Sequence, residues 1–183
     1  VIAQAKVVLD EAEHLKQLAA AQQDEFAQPL RLGAIFTVAP YVFPSLIPAL
    51  HQSAPNLLLY LEENYTHVLS DKLANGDLDV ILVAAPFELP ESQSQALFSE
   101  EFYLLTPKNH EFANKNPVLA SDVAQAPMLM LGEGHCFRDQ ILAACPMSNP
   151  KLNNGNSLET LRFMVANGLG LTLIPAISVP YLV

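Results

Sequence analysis

Positive charge is what this 183-residue chain has least of. Nine Lys and Arg stand against nineteen Asp and Glu, for a net charge of −10. So acidic a segment has too few cations to displace counterions from phosphate, and by itself it is not a nucleic-acid binder. Cysteine is scarcer still, at two, and there are five histidines. A single Cys pair without clustered histidines lacks the ligand spacing of a zinc site, so no metal is expected. No apolar run is long enough to cross a bilayer, and neither end reads as a secretory signal. A membrane is therefore not expected as a partner, and a cytoplasmic setting is. In that compartment a disulfide is transient or sensing rather than structural. Internal repeats and low-complexity stretches are also absent.

Apolar side chains, by contrast, make up 51% of the residues. That is enough for a proper core, in a length that fits one domain or two small ones. Residues 1–24 read as one helix, with Ile2, Ala5, Leu9, Ala12, Leu15 and Ala19 along one stripe. Such a helix packs on its own domain or pairs with a second copy. Gln28-Pro29 breaks it. The pattern then predicts a buried strand from Leu30 to Phe36, a turn to Pro40 and a helix through Gln52. A strand from Asn56 to Glu62, a helix from Tyr65 to Asn75 and a strand from Leu78 to Ala85 follow. This alternation implies a parallel sheet covered on both faces, with functional groups at the carboxyl ends of its strands. Thr37 and Thr66 lie just past two of those strands, where capping the next helix is their simplest role.

The stretch from Pro86 to Gln95 reads as a linker into a second α/β unit. Strands are expected from Leu97 to Thr106, from Met128 to Leu131 and from Leu171 to Ile174. A helical turn is expected at Ser121 to Val123, a loop from Pro146 to Asn156, and a helix from its cap at Ser157 to Asn167.

Both cysteines fall between Gly132 and Cys145. Gly132 and Gly134 punctuate a loop, and Phe137, Ile141, Leu142 and Ala144 give a short apolar face at helical spacing. Cys136 is therefore expected at or just before a helix N-terminus, where unpaired N–H groups and the helix dipole favour negative charge. His135 and Arg138 lie within a turn of it. A thiol in such surroundings ionises more readily, and thiolate is the nucleophilic form. Arg138 is also placed to hold a developing oxyanion or a hydroxide leaving group.

Cys145 lies about 13.5 Å further along an unbroken helix. A disulfide requires Cα atoms roughly 4.4–6.8 Å apart. Bonding the two would unwind the helix and shift Ile141 and Leu142, at a cost of about 3–6 kcal/mol. Closing so short a loop returns about 2–3 kcal/mol. Net strain makes a disulfide easier to reduce, by about 30 mV per 1.4 kcal/mol, as suits a reversible switch. Two buried, inert cysteines remain the alternative on spacing alone.

The run Gly134-His135-Cys136-Phe137-Arg138-Asp139-Gln140 with Cys145 at this spacing resembles the redox segment of the peroxide-sensing branch of LysR-type transcription regulators. Leu32 to Tyr41, Phe43 to Pro48 and Leu73 to Asp79 resemble the opening of a LysR-type regulatory domain. Ser157 to Arg162 and Ala166 to Pro175 resemble its later part. The resemblance implies an α/β fold of two linked Rossmann-like subdomains around a cleft, like a periplasmic binding protein, preceded by a linker helix. Residues 1–26 are then the linker and dimerisation helix, 27–96 the first subdomain and 97–183 the second, with the redox segment at 132–145. It also implies an N-terminal helix-turn-helix domain and a C-terminal tail outside this sequence.

In that family reading Cys136 is the peroxidatic thiol, oxidised by hydrogen peroxide to sulfenic acid, and Cys145 resolves it to a disulfide. Thr37 and Thr66 line the peroxide site, where their hydroxyls position the two oxygens. His135, Arg138 and Asp139 support the chemistry. Unwinding between the cysteines remodels a homodimer or homotetramer. DNA, through the missing domain, and RNA polymerase are the implied partners, with glutathione and glutaredoxin as reductant. No cofactor and no enzymatic turnover are implied. Two other readings stand beside this one. A LysR-type domain could sense a small organic effector in the cleft, with the cysteines incidental. A thiol peroxidase or Cys-His hydrolase is the other, although no third catalytic group beside His135 is evident.

Overall fold

The computed structural model of the chain describes residues 28–145 and 154–181, together with Ile2, Ala5, Leu9, Glu11 and Ala12. The helix expected over residues 1–24 therefore lies largely outside the described residues. Of its stripe, Ile2, Ala5, Leu9 and Ala12 are helical and exposed, and Leu15 and Ala19 fall outside.

The first half is built on β1 (Leu30–Ile35), the middle of three strands. From it α1 (Ala39–Ser53) leads to β2 (Leu59–Asn64), and α2 (Thr66–Ala74) leads on to β3 (Val80–Leu82). Both outer strands pair with β1 in parallel, Ile35 opposite Asn64 on one side and Ala34 opposite Leu82 on the other. Side chains alternate along a strand, so the two faces of β1 feed two cores. Leu32 and Ala34 pack with Ala39 and Phe43 of α1. Ile35 packs with Leu69 of α2 and with Leu78. Gly33 shares this second face. A Cβ there would stand 2.7 Å from the tips of Leu69 and Leu78, so a bare glycine is what lets α2 close on the sheet.

Helix α1 tolerates Pro44 and Pro48 in its interior. With Pro40 they are spaced by four, so the missing N–H groups fall on one stripe. All three prolines are exposed, and the carbonyls left without a donor face water. The opposite side buries Ala39, Tyr41 and Phe43, and that burial holds the helix together.

In the second half, β4 (Phe102–Leu105) pairs with β7 (Thr172–Pro175), and β5 (Met130–Leu131) pairs with β6 (Asn154–Gly155). A bridge from Met128 to Leu171 joins the two pairs. Helices α3 (Ala120–Val123), α4 (Cys136–Ala144) and α5 (Leu158–Ala166) pack around them, and a 3-10 helix over Ala176–Tyr181 follows β7. Ser157 caps α5 as expected, accepting from the Thr160 amide at 3.2 Å.

Three expectations change here. Strand β4, which runs antiparallel to β7, is shorter than the Leu97–Thr106 run because Leu97 and Phe98 stay exposed. The predicted loop over 146–156 ends in β6, with residues 146–153 outside the described set. Leu142 and Ala144 do not join the buried face of α4. Phe137, Ile141 and Cys145, each four residues apart, supply it, and they enter the core formed by Met128 to Leu131, Leu158, Leu161 and Val165.

Candidate functional site

Three strands end at the same place. Phe36 and Thr37 follow β1, Tyr65 and Thr66 follow β2, and the loop after β5 delivers Gly134, His135 and Cys136. Together with Ile35 and Asn64 these residues line one small pocket. Carboxyl ends of strands are where α/β sheets place their ligands, because the following backbone turns away and leaves a crevice. The empty space is about 180 Å³, including the part open to solvent.

Cys136 is the first residue of α4, with His135 at its N-cap. Both cysteines are free thiols; Cys136 is half-buried and Cys145 buried. Their surroundings differ. Cys136 packs against the Ile35, Leu69 and Leu78 cluster of the first half, whereas Cys145 belongs to the core of the second. Helix geometry accounts for this. Nine residues at about 100° each come to two and a half turns, so the two side chains leave α4 on opposite faces. Burial raises the Cys145 thiol above its ordinary pKa.

Neither threonine caps a helix through its side chain. Val38 is the N-cap of α1 and Tyr65 that of α2, and neither cap makes a side-chain hydrogen bond. Thr37 is buried in the pocket wall. Thr66 is half-buried, and its Oγ1 is enclosed with no hydrogen-bond partner among the described residues. An enclosed hydroxyl without a partner costs about 1–3 kcal/mol, which a small polar ligand would recover.

His135 is buried, and burial holds its imidazole below the usual pKa, so it is neutral at pH 7. Its ring meets Tyr65 edge-on at 4.9 Å and lies 5.7 Å from Phe36. Arg138 donates from Nη1 to the Leu131 carbonyl at 3.0 Å, which ties α4 to the end of β5. Asp139 is exposed in the first turn of α4. Of the residues singled out from sequence, the pocket thus gathers Cys136, His135, Thr37 and Thr66. Arg138, Asp139 and Cys145 lie outside its wall. Phe36, Asn64, Tyr65 and Gly134 complete it. Their position just past β1 and β2, or in the loop after β5, was the signal available for them.

The two halves meet again away from the pocket. The Tyr41 phenol donates to Glu159 Oε1 at 2.8 Å, and Arg162 Nη1 reaches the same oxygen at 2.6 Å. Tyr181 Oη donates to the Tyr41 carbonyl at 3.3 Å, and Arg162 also donates to the Tyr181 carbonyl. Burial first, and then the Glu159 carboxylate, push the Tyr41 pKa well above its ordinary value. Nearer the pocket, Gln140 Nε2 donates to the Ala85 carbonyl at 3.2 Å.

Residues 23–182 match the family described as LysR substrate binding domain. A relative in Pectobacterium carotovorum subsp. carotovorum, named hydrogen peroxide-inducible genes activator, is 41% identical over 98% of this chain and 60% of its own length. The reduced OxyR regulatory domain of Pseudomonas aeruginosa superposes with a TM-score of 0.79 at 47% identity, covering 84% of this chain and 75% of that one. A Corynebacterium glutamicum OxyR mutant described as H2O2-bound gives a TM-score of 0.83 at 32% identity, covering 97% of this chain and 57% of that one. The chain spans about 60% of the length of the Pectobacterium relative. Among the described residues no helix is long and apolar enough to cross a membrane.

Proposed function

Since this chain belongs to the LysR substrate binding domain family, and relatives 41% identical to it are named as transcription regulators, we propose that it is the peroxide-sensing part of such a regulator. The observation that carries the reading is the pocket itself. It sets a free, half-buried thiol at a helix N-terminus beside an enclosed Thr66 hydroxyl that lacks a partner among the described residues. Hydrogen peroxide is small, and each of its oxygens both donates and accepts. It therefore suits a site with one unpaired hydroxyl and a second threonine close by.

In the proposed chemistry the Cys136 thiolate attacks one peroxide oxygen. The S–O bond forms as the O–O bond breaks, sulfur gives up two electrons, and hydroxide leaves and takes a proton to become water. The Thr37 and Thr66 hydroxyls hold the two oxygens, and neutral His135 walls the site and can exchange a proton. Arg138, tethered to Leu131, fixes the start of the helix, and its remaining donors are available to the leaving oxygen. Asp139 takes part through Arg138 or through solvent.

Cys145 then attacks the oxidised sulfur as thiolate. The S–S bond forms, the S–O bond breaks, and hydroxide leaves and takes a proton from solvent to become a second water. Because the two thiols sit in different cores, this step melts α4 and withdraws at least one of them from its packing. Moving Phe137 and Ile141 out of their cluster costs about 3–6 kcal/mol. The α4 segment is thus the bistable element. Its rearrangement alters contacts between the subdomains, proposed at residues 27–96 and 97–183, and between copies of the chain. Through a DNA-binding domain joined to the 1–26 helix the change reaches promoter DNA and RNA polymerase, and glutathione with glutaredoxin restores the thiols. The protein works in the cytoplasm and has one dithiol oxidised per peroxide until its thiols are restored, so in this reading it acts as a regulator and not as an enzyme.

The pocket encloses room for about one water-sized molecule, far below the roughly 300–1,000 Å³ of sites for drug-sized ligands, which weighs against an organic effector there. The test is intact mass of the wild-type chain and of Cys145→Ser before and after stoichiometric hydrogen peroxide. Rapid loss of two hydrogens in the wild type and a sulfenic adduct on Cys136 in the variant are expected. Thiols that survive such treatment would end the proposal.

A further inference from the structure

We propose that Tyr65 decides which peroxides reach Cys136: its ring is the wall that admits hydrogen peroxide and turns away hydroperoxides with a bulky alkyl group. The inference deepens the peroxide reading and rests on it.

The ring is wedged on every side that the structure describes. Phe36 meets it edge-on at 5.2 Å, and His67 stacks on it at 5.8 Å with planes 18° apart. His135 closes the third side at 4.9 Å. Against the loop after β5 the approach is tighter. A Cβ built on Gly134 would lie 3.2 Å from the ring, and Gly134 has φ +91, a conformation that side chains resist. The loop that carries Cys136 therefore closes on Tyr65 with no slack, and swinging the ring aside would break four contacts at once.

Size completes the argument. The pocket encloses room for about one water-sized molecule; hydrogen peroxide exceeds that by a single oxygen, and a bulky alkyl group exceeds it many times over. An organic hydroperoxide presents the same O–O bond to sulfur and differs only in the group on its second oxygen. Attack follows the same balance: S–O forms, O–O breaks, sulfur loses two electrons, and alkoxide leaves and is protonated to the alcohol. The chemistry is equally open to both classes, so any discrimination comes from the wall. Tyr65 and Phe36 are both half-buried rings of that wall, and Tyr65 is the one that the loop carrying Cys136 packs against at Gly134. A large substituent would have to pass it.

The experiment measures second-order rates of Cys136 oxidation, by rapid quench and intact mass, with hydrogen peroxide, ethyl, tert-butyl and cumene hydroperoxides. The proteins are the wild-type chain, Tyr65→Leu and Tyr65→Phe. Wild-type rates should fall as the alkyl group grows. In Tyr65→Leu the cumene-to-hydrogen-peroxide ratio should rise by about tenfold or more, the scale of a steric change in a small pocket. Tyr65→Phe should keep the wild-type ratio, since the ring and not the hydroxyl forms the wall. Equal wild-type rates across the series overturn the proposal even where the leucine variant fails to fold. So does a Tyr65→Leu ratio that stays put while all rates fall together. Both results leave the sensor reading intact, whereas a Cys136 inert to every peroxide, hydrogen peroxide included, sinks the two together.

Discussion

Ile141 lies at the middle of α4, is 1% exposed, and belongs to the core of the second half. Leu142, its neighbour, is 37% exposed. Truncating Ile141 to alanine removes packing that only the reduced, helical form possesses if disulfide formation melts α4. The reduced form should lose about 2–5 kcal/mol. The oxidised form, with Ile141 already displaced, should lose little. A two-electron couple moves about 30 mV per 1.4 kcal/mol, so Ile141→Ala should shift the midpoint potential by about 40–110 mV toward more negative values. The direction follows from the thermodynamics: a weaker dithiol form makes the disulfide harder to reduce. Leu142→Ala should move the potential by less than about 10 mV, because surface truncations cost little. The assay is equilibration in graded thiol–disulfide buffers, read by intact mass after acid quench. An equal shift from both variants, or none from Ile141→Ala despite a lowered melting temperature in the dithiol form, would refute the idea that α4 is what the disulfide unpacks.

Three further outcomes follow from the site. Thr66→Val replaces an enclosed hydroxyl that has no partner among the described residues. Thermal melting should show stability unchanged or raised by up to about 1 kcal/mol, while stopped-flow should show slower oxidation by hydrogen peroxide. His135 is held below its ordinary pKa by burial. The unfolded chain therefore binds the extra proton first, and stability should be full above about pH 6.5 and decline as pH falls through that value. Urea midpoints between pH 8 and 5 should show a decline that His135→Gln lacks. The Cys145 thiol is raised by burial, and only its thiolate resolves the sulfenic acid. Conversion of the Cys136 sulfenate to disulfide, followed by quench and mass, should keep accelerating as pH rises past the ordinary thiol value near 8.5.

The sequence spoke clearly wherever a signal was local. The strand–helix alternation from Leu30 to Leu82 reads directly from apolar runs and their breakers, and the structure keeps it with ends moved by at most three residues. Cys136 at the start of a helix follows from Gly134 and the spacing of Phe137 and Ile141. Long-range pairing was not legible. The β4–β7 ladder joins residues about seventy apart and runs antiparallel, and nothing near Phe102 announces Pro175 as its partner. The two-residue β6 carries too little pattern to stand out from a loop. Leu142 was misjudged for another reason. A nine-residue helix against one core buries a narrow stripe, and residues at i, i+4 and i+8 fill it before a neighbour at i+5 can. Tyr65 was passed over because an aromatic residue ahead of a helix has many ordinary roles. Only the meeting of three strand ends gives it a place beside His135.

The half-integral turn count between the cysteines has a consequence for how such a segment could be rewired. A helix is a phase device, and nine residues put the second thiol half a cycle from the first, in the other core. Eleven residues, at about 100° each, would bring the two almost into phase. Both thiols would then point into one core. Joining them would distort a single unit and leave its neighbour undisturbed. A chain lengthened by two helical residues between Gln140 and Cys145 would keep both thiols, yet the oxidation would go unheard in the other core, so the spacing works as a grammar for the message as well as a distance.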